Sequence, residues 1–178
     1  LEGFSYTKIK SSKNTFQSDV DDFFKSGGIG LNVTVPFKGQ AYNLCDRLDQ
    51  SAILCKSVNT IMSHSGELMG YSTDGQGLVD DFSQKKITLE NSKVLIIGAG
   101  GSAASIISSL LLHEAATEVS ILNRTESNAI KLLDLFNTDK LSIHDKKNQY
   151  DIVVNTTPIS MGVDDIVLPP EIIKNKPV

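Results

Sequence analysis

An α/β protein whose second half holds a parallel sheet is what this sequence of 178 residues predicts. Three observations lead there. From Lys93 onward, continuously apolar runs ("KVLIIG", "EVSIL", "DIVVN") alternate with runs of helical period, as buried parallel strands covered by helices require. Before residue 84 the strand-like runs are shorter and mixed with amphipathic helices, so a separate α/β domain precedes the sheet. Between the first late strand and its helix stands "GAGGSA", a cluster of small residues that lets a chain turn tightly and a helix begin at once.

Composition limits the function classes. Apolar residues make up 40% and charged ones 21%, an ordinary globular balance rather than a disordered one. Seventeen basic against twenty-one acidic residues give a net charge of -4, without the basic excess that a nucleic-acid backbone calls for. No apolar run approaches the ~20 residues of a membrane span, and the amino end "LEGFSYTKIK" has no signal-peptide core. A membrane partner is not expected. Cys45 and Cys55 read as two free thiols of a reducing, cytoplasmic compartment, and His64, His113 and His144 as surface or packing residues. The sequons at 32, 123 and 155 sit beside strand-like runs and read as chance. Both ends read as cut: the chain starts on Leu, and it stops at "IIKNKPV" after a helix-like stretch where another strand is expected.

Along the chain, Phe16, Val20, Phe23 and Phe24 share one helical face, and "SGG" ends a helix over about 15–26. "LNVTVP" alternates and reads as a strand closed by Pro36; Ala41, Leu44, Cys45 and Leu48 mark a second helix, with Lys38 at or just before its first turn. "SVNTIM" and "ELMGYS" flank the turn residues "SHSG" as a strand pair over 57–72. The polar stretch 76–92 is read as the connection between a first domain, 1–83, and a second, 84–178. In the second, helices are expected over "SAASIISSLLLH" and "ESNAIKLLDLFN", so the whole makes a βαβαβ unit.

That unit gives the glycines a purpose. In "GAGGSA" Gly98 takes the tight turn, Gly100 stands where backbone approaches a pyrophosphate, and Ala103 keeps the helix close to the strand. The helix start adds free N–H groups and the positive end of a dipole, both suited to phosphate. The second strand distinguishes the dinucleotides. An NAD site places a carboxylate at its end for the ribose 2′-hydroxyl, whereas "ILNRT" supplies Asn123, Arg124 and Thr125. A guanidinium grips a 2′-phosphate, so NADP is the expected cofactor, with a solvated loop arginine as the alternative reading of Arg124.

Taken in order, "GLNVTVPFK", "SVNT", "STDG", "GAGG" and "NRT" resemble the shikimate dehydrogenase family over essentially the whole chain. The resemblance implies NADPH-dependent, reversible reduction of 3-dehydroshikimate to shikimate, on the route to aromatic amino acids and chorismate, in a cleft between a substrate domain and a Rossmann-type domain. It also implies a catalytic pair, Lys38 and Asp74; substrate contacts at Asn32, Thr34 and Asn59; and cofactor contacts at Gly98, Ala99, Gly100, Gly101, Ser102, Asn123, Arg124 and Thr125. No metal is implied. The residue types suit the reaction: a protonated lysine stabilises the charge that develops on a carbonyl oxygen as hydride arrives, and supplies the proton. A single lysine after a strand or an Asp before Gly has no such meaning alone; both are ordinarily solvated or turn-forming.

The sequence departs from the family pattern at several points. Ser72 stands for the first Asn of N-T-D-G, Lys56 and Ser57 for Gly-Ala, and Asn128 for a second basic residue after N-R-T, which weakens the expected preference for NADP over NAD. The opening strand with its serine motif and the closing strands and helices of the family are not in this sequence. Two rival readings stand beside the first: a quinate/shikimate dehydrogenase of broader specificity, and a non-catalytic NADP-sensing module. Oligomeric state, monomer or homodimer, is not legible.

Overall fold

The structure, a computed structural model, describes residues 3–112, 116–157 and 172. The helix-like stretch read near the carboxy end and His113 lie outside them. Two four-stranded sheets organise the described residues. The first is mixed. Helix α1 (Phe16–Lys25) buries Phe16 and Val20, and its ring Phe16 stacks on Phe37 at 5.0 Å between centroids. Strand β1 (Gly30–Asn32) pairs antiparallel with β3 (Thr60–His64), β3 pairs antiparallel with β4 (Glu67–Tyr71), and β2 (Arg47–Leu48) runs parallel to β4. The expected hairpin is there, its two-residue turn made by Ser65 and Gly66 at φ 52° and 86°, as an inward-twisting hairpin turn needs.

Two expectations in this half are corrected. The strand read over 31–36 ends at Asn32: Val33 still donates to Asn59 O at 2.7 Å, but Phe37 then donates to Thr34 O at 2.9 Å in a turn around Pro36, which has no N–H for a ladder. The helix read through Leu48 is instead α2 (Lys38–Leu44), then β2, then α3 (Gln50–Cys55). Two short carboxylates break the periodic run by recruiting backbone: Asp46 accepts from Leu68 N at 2.7 Å, and Asp49 caps α3 through Ser51 N at 2.9 Å. Bonds from Ser51 hold the Asp49 carboxyl below its ordinary range.

The stretch 76–92, read as a connection, holds most of α4 (Asp74–Gln84). Beyond it the second sheet is wholly parallel, in the order β7-β6-β5-β8. Its strands are β5 (Ser92–Ile97), β6 (Ala116–Leu122), β7 (Leu141–Ile143) and β8 (Ile152–Asn155), with α5 (Gly101–Leu112) and α6 (Glu126–Phe136) as crossovers. The sequence reading had no strand at Leu141–Ile143, since three residues carry too little period to register. With β7 in place, the chain returns across the sheet and lays β8 against the other side of β5, so strand order reverses between β5 and β8. A doubly wound sheet opens its ligand crevice at such a point.

Helix α5 joins the two halves. It packs on β5 and β6 on one side and on α3 and α4 on the other, so it is buried nearly all round, from Ala103 to Leu110. Its sequence, "GSAASIISSLLL", suits that place: aliphatics for the sheet, small hydroxyls for the helices. Ser105 receives Ser72 Oγ at 2.8 Å and the N–H of Gly75 at 3.0 Å. Contact is so close that a Cβ at Gly75 would lie 2.1 Å from Ser105 O. Among the described residues no helix is long and apolar enough to cross a membrane. Gly75→Ala is expected to lower unfolding stability by about 2 kcal/mol through forced separation of α4 and α5. Urea unfolding followed by circular dichroism checks it, and an unchanged midpoint would show that the helices can part at no cost.

Candidate active site

Three helices begin at one place. Lys38 is the first residue of α2, Asp74 the first of α4 and Ser102 the second of α5. The Lys38 ammonium donates to Asp74 Oδ2 at 2.5 Å and to Ser102 Oγ at 2.7 Å, and the Ser102 hydroxyl is 3.2 Å from the same carboxylate oxygen. The lysine side chain is 11% exposed and the aspartate 28%, so the pair is partly buried yet open to a ligand. A carboxylate suits the amino end of α4, where the dipole is positive; a lysine at the start of α2 does not, and needs a nearby anion to sit there.

Asn59 aligns the carboxylate. Only 8% exposed, it donates from Nδ2 to Asp74 Oδ1 at 2.5 Å and accepts at Oδ1 from Thr73 N at 2.9 Å. A carboxylate on one side and an N–H on the other fix which way the amide points. Thr60 Oγ1 donates to the same Oδ1 at 3.1 Å and accepts from Asn32 Nδ2 at 3.4 Å, so Asn32, Thr60, Asn59, Asp74, Lys38 and Ser102 form one connected network. Thr34 stands apart from that network. It is exposed and borders, with Asn32 and Phe37, a small hollow of about 110 Å³.

On the other side of the lysine lies the glycine turn. Gly98 has φ +112°, open to glycine and costly for other residues, and a Cβ there would stand 2.4 Å from Thr156 Oγ1. Gly100 faces open space, whereas Gly101 lacks a side chain for a different reason: its Cβ would meet Ser57 Oγ at 2.6 Å and Lys38 Cδ at 3.3 Å. The two halves therefore touch at Gly101. A cleft of about 760 Å³ opens here, bordered by Lys38, Ser57, Ala99, Gly100, Gly101 and, from α6, Lys131. Asn123, Arg124 and Thr125 follow β6 next to the turn, since Gly98 N donates to Leu122 O at 2.8 Å. Asn123 folds its amide onto Thr125 O at 2.8 Å, and Arg124 is exposed.

These residues fit a dinucleotide. The first N–H groups of α5 have no acceptor within the helix. The Ser57 hydroxyl, 3% exposed at the edge of the same cleft, has no partner among the described residues. Sequence reasoning met Ser57 and Thr60 only within the "SVNT" motif and gave neither a role, and it did not single out Ser105. Thr156 was met only as part of a sequon, although its position after β8 follows from a reversal of strand order that required β7 to be seen. Cys45 and Cys55 carry no disulfide, and burial pushes the Cys45 thiol up to about 11, well away from reactive thiolate chemistry. No cluster of metal ligands occurs among the described residues.

A two-sheet α/β chain with a phosphate-type glycine turn facing a buried-edge lysine and carboxylate has the build of a dinucleotide-binding protein. Comparisons narrow the class. The family model described as "Shikimate dehydrogenase substrate binding domain" matches residues 2–61, and that described as "Shikimate / quinate 5-dehydrogenase" matches residues 81–164. A shikimate dehydrogenase (NADP(+)) of Acinetobacter baumannii is 40% identical over 172 residues, which are 93% of this chain and 65% of that protein. Shikimate dehydrogenase from Aquifex aeolicus superposes with a TM-score of 0.78 at 26% identity, covering 92% of this chain and 62% of that one. The Thermus thermophilus enzyme, solved in complex with NADP(H) and shikimate, gives 0.73 at 26% identity, over 83% of this chain and 54% of that one. The chain belongs to the shikimate dehydrogenase family. It spans 65% of the length of the curated relatives it matches.

Replacing Asn59 with Leu removes the groups that align Asp74 while keeping volume. Stability is expected to fall by about 1–2 kcal/mol, the usual result of leaving a buried network half paired. Chemical unfolding measures it, and a variant as stable as the parent would mean that Asp74 and Thr73 need no help from Asn59.

Proposed function

We propose that the protein of which this chain is part or whole catalyses the reversible, NADPH-dependent reduction of 3-dehydroshikimate to shikimate in the cytoplasm. The observation that carries this reading is the contact of Lys38 with Asp74 and with the first turn of α5, which puts an ammonium group beside a turn suited to a dinucleotide. The cofactor, when bound, supplies the hydride. Lys38 holds the carbonyl oxygen by a charge-assisted hydrogen bond and gives it a proton; in the reverse direction it takes the proton from the hydroxyl. Asp74 holds the ammonium in place, and Asn59 orients Asp74.

In the same proposal residues 1–83 bind substrate and 84–178 bind cofactor. Asn32, Thr34 and Asn59 offer neutral hydrogen-bonding groups suited to a polyhydroxylated ring, which a charged wall would bind less selectively. Gly98 to Ser102 receive the pyrophosphate on backbone N–H groups, and Asn123, Arg124 and Thr125 receive the adenosine end, Arg124 pairing with a 2′-phosphate. The family description that includes quinate keeps the broader dehydrogenase as a second reading.

A spectrophotometric assay on the full-length protein tests the proposal: NADPH is expected to be consumed with 3-dehydroshikimate, more slowly with NADH, and NADP reduced with shikimate faster than with quinate. Equal turnover of shikimate and quinate would favour the second reading, and tight NADPH binding with no turnover of any of them would favour a non-catalytic module. Lys38→Met is expected to cut turnover by roughly 10²–10³-fold, the usual effect of losing a donor to a developing oxyanion, with NADPH affinity retained. Near-normal turnover would remove Lys38 from the chemistry.

A further inference from the structure

We infer that Ser102 acts through its side chain as a positioning residue for the Lys38 ammonium, rather than as a cofactor contact; this rests on the reading of Lys38 given above. An ammonium group has three N–H donors and turns freely about its last bond unless its partners fix it. Here Asp74 Oδ2 takes one donor at 2.5 Å and Ser102 Oγ a second at 2.7 Å. Two acceptors in fixed directions leave the third donor with one direction.

The serine can serve both charged groups at once. Its oxygen accepts from Lys38, and its own O–H points to Asp74 Oδ2 at 3.2 Å, so donor and acceptor are both engaged within the pair. No O–H remains for a phosphate oxygen. The backbone N–H of Ser102, in the first turn of α5, is separate from this and has no acceptor within the helix. The serine belongs to the second sheet's first helix while Lys38 and Asp74 belong to elements of the first half, so it ties the lysine to the element that opens the glycine turn. Ser57, the buried hydroxyl beside Gly101, has no such partners among the described residues.

The test needs a readout that does not require catalysis. In the cofactor-free protein, the Lys38 ammonium is expected to give a protected ¹⁵N-correlated NMR signal, assigned by its loss in Lys38→Met. In Ser102→Ala its hydrogen exchange is expected to rise at least about fivefold, and in Ser102→Thr, which keeps the hydroxyl, to stay near the parent value. An unchanged exchange rate in Ser102→Ala overturns the inference, whatever the enzyme's activity. In the assay, Ser102→Ala is expected to lose about tenfold in kcat, as small misplacements of reacting groups do, with the NADPH dissociation constant unchanged within about twofold and kcat restored by Thr. If instead NADPH affinity falls and kcat holds, the hydroxyl is a cofactor contact and the inference fails. Absence of any activity in the parent protein would sink the proposed function but leave the NMR comparison decisive for Ser102.

Discussion

The contact among Lys38, Asp74 and Ser102 is the constraint on which the rest of the structure turns. Three helix amino ends face one another there, each carrying a partial positive charge, and a lysine is added to them. Without an anion this would be an unfavourable arrangement. The Asp74 carboxylate answers all of it: it lies at the start of its own helix, contacts the ammonium and receives Asn59 and Ser102. Such a pair is not primarily a source of stability, because the loss of water around two partly buried charges offsets much of their attraction. What it provides is a cation with a defined direction at the edge of a cleft.

Close backbone approach makes this geometry possible. Gly75 lets α4 lie against Ser105 of α5, and Gly101 lets the start of α5 meet Ser57 and the stem of Lys38. Gly98 turns the chain where strand order reverses and leaves room for Thr156. A side chain at any of these points would push the two halves apart or close the crevice. The serines of α5 answer a related need only in part: Ser105 finds two partners across the helix contact, whereas the buried Ser108 hydroxyl has none among the described residues.

Period and turn chemistry made much of the fold legible. The long helices and the strands of the parallel sheet have many residues in phase, and the Ser65–Gly66 turn is a strong local signal. What escaped were α4, whose polar run read as a connection, and short elements decided by tertiary contacts. Strand β7 has three residues, β2 has two, and α3 begins only because Asp49 caps it. Lys38 and Asp74 were visible only through ordered motifs, for no local rule favours a lysine at a helix start. That they lie within hydrogen-bond reach of each other depends on packing between distant segments, as does the approach of Ser57 to Gly101.

A double-mutant cycle reads the central claim most directly. If Lys38 and Asp74 act as one unit, Lys38→Met and Asp74→Asn each impair kcat/KM for 3-dehydroshikimate, and the doubly substituted protein is no more than about threefold worse than the poorer single variant. Losses that multiply in full would show two independent residues, and the account built on their pairing would be wrong.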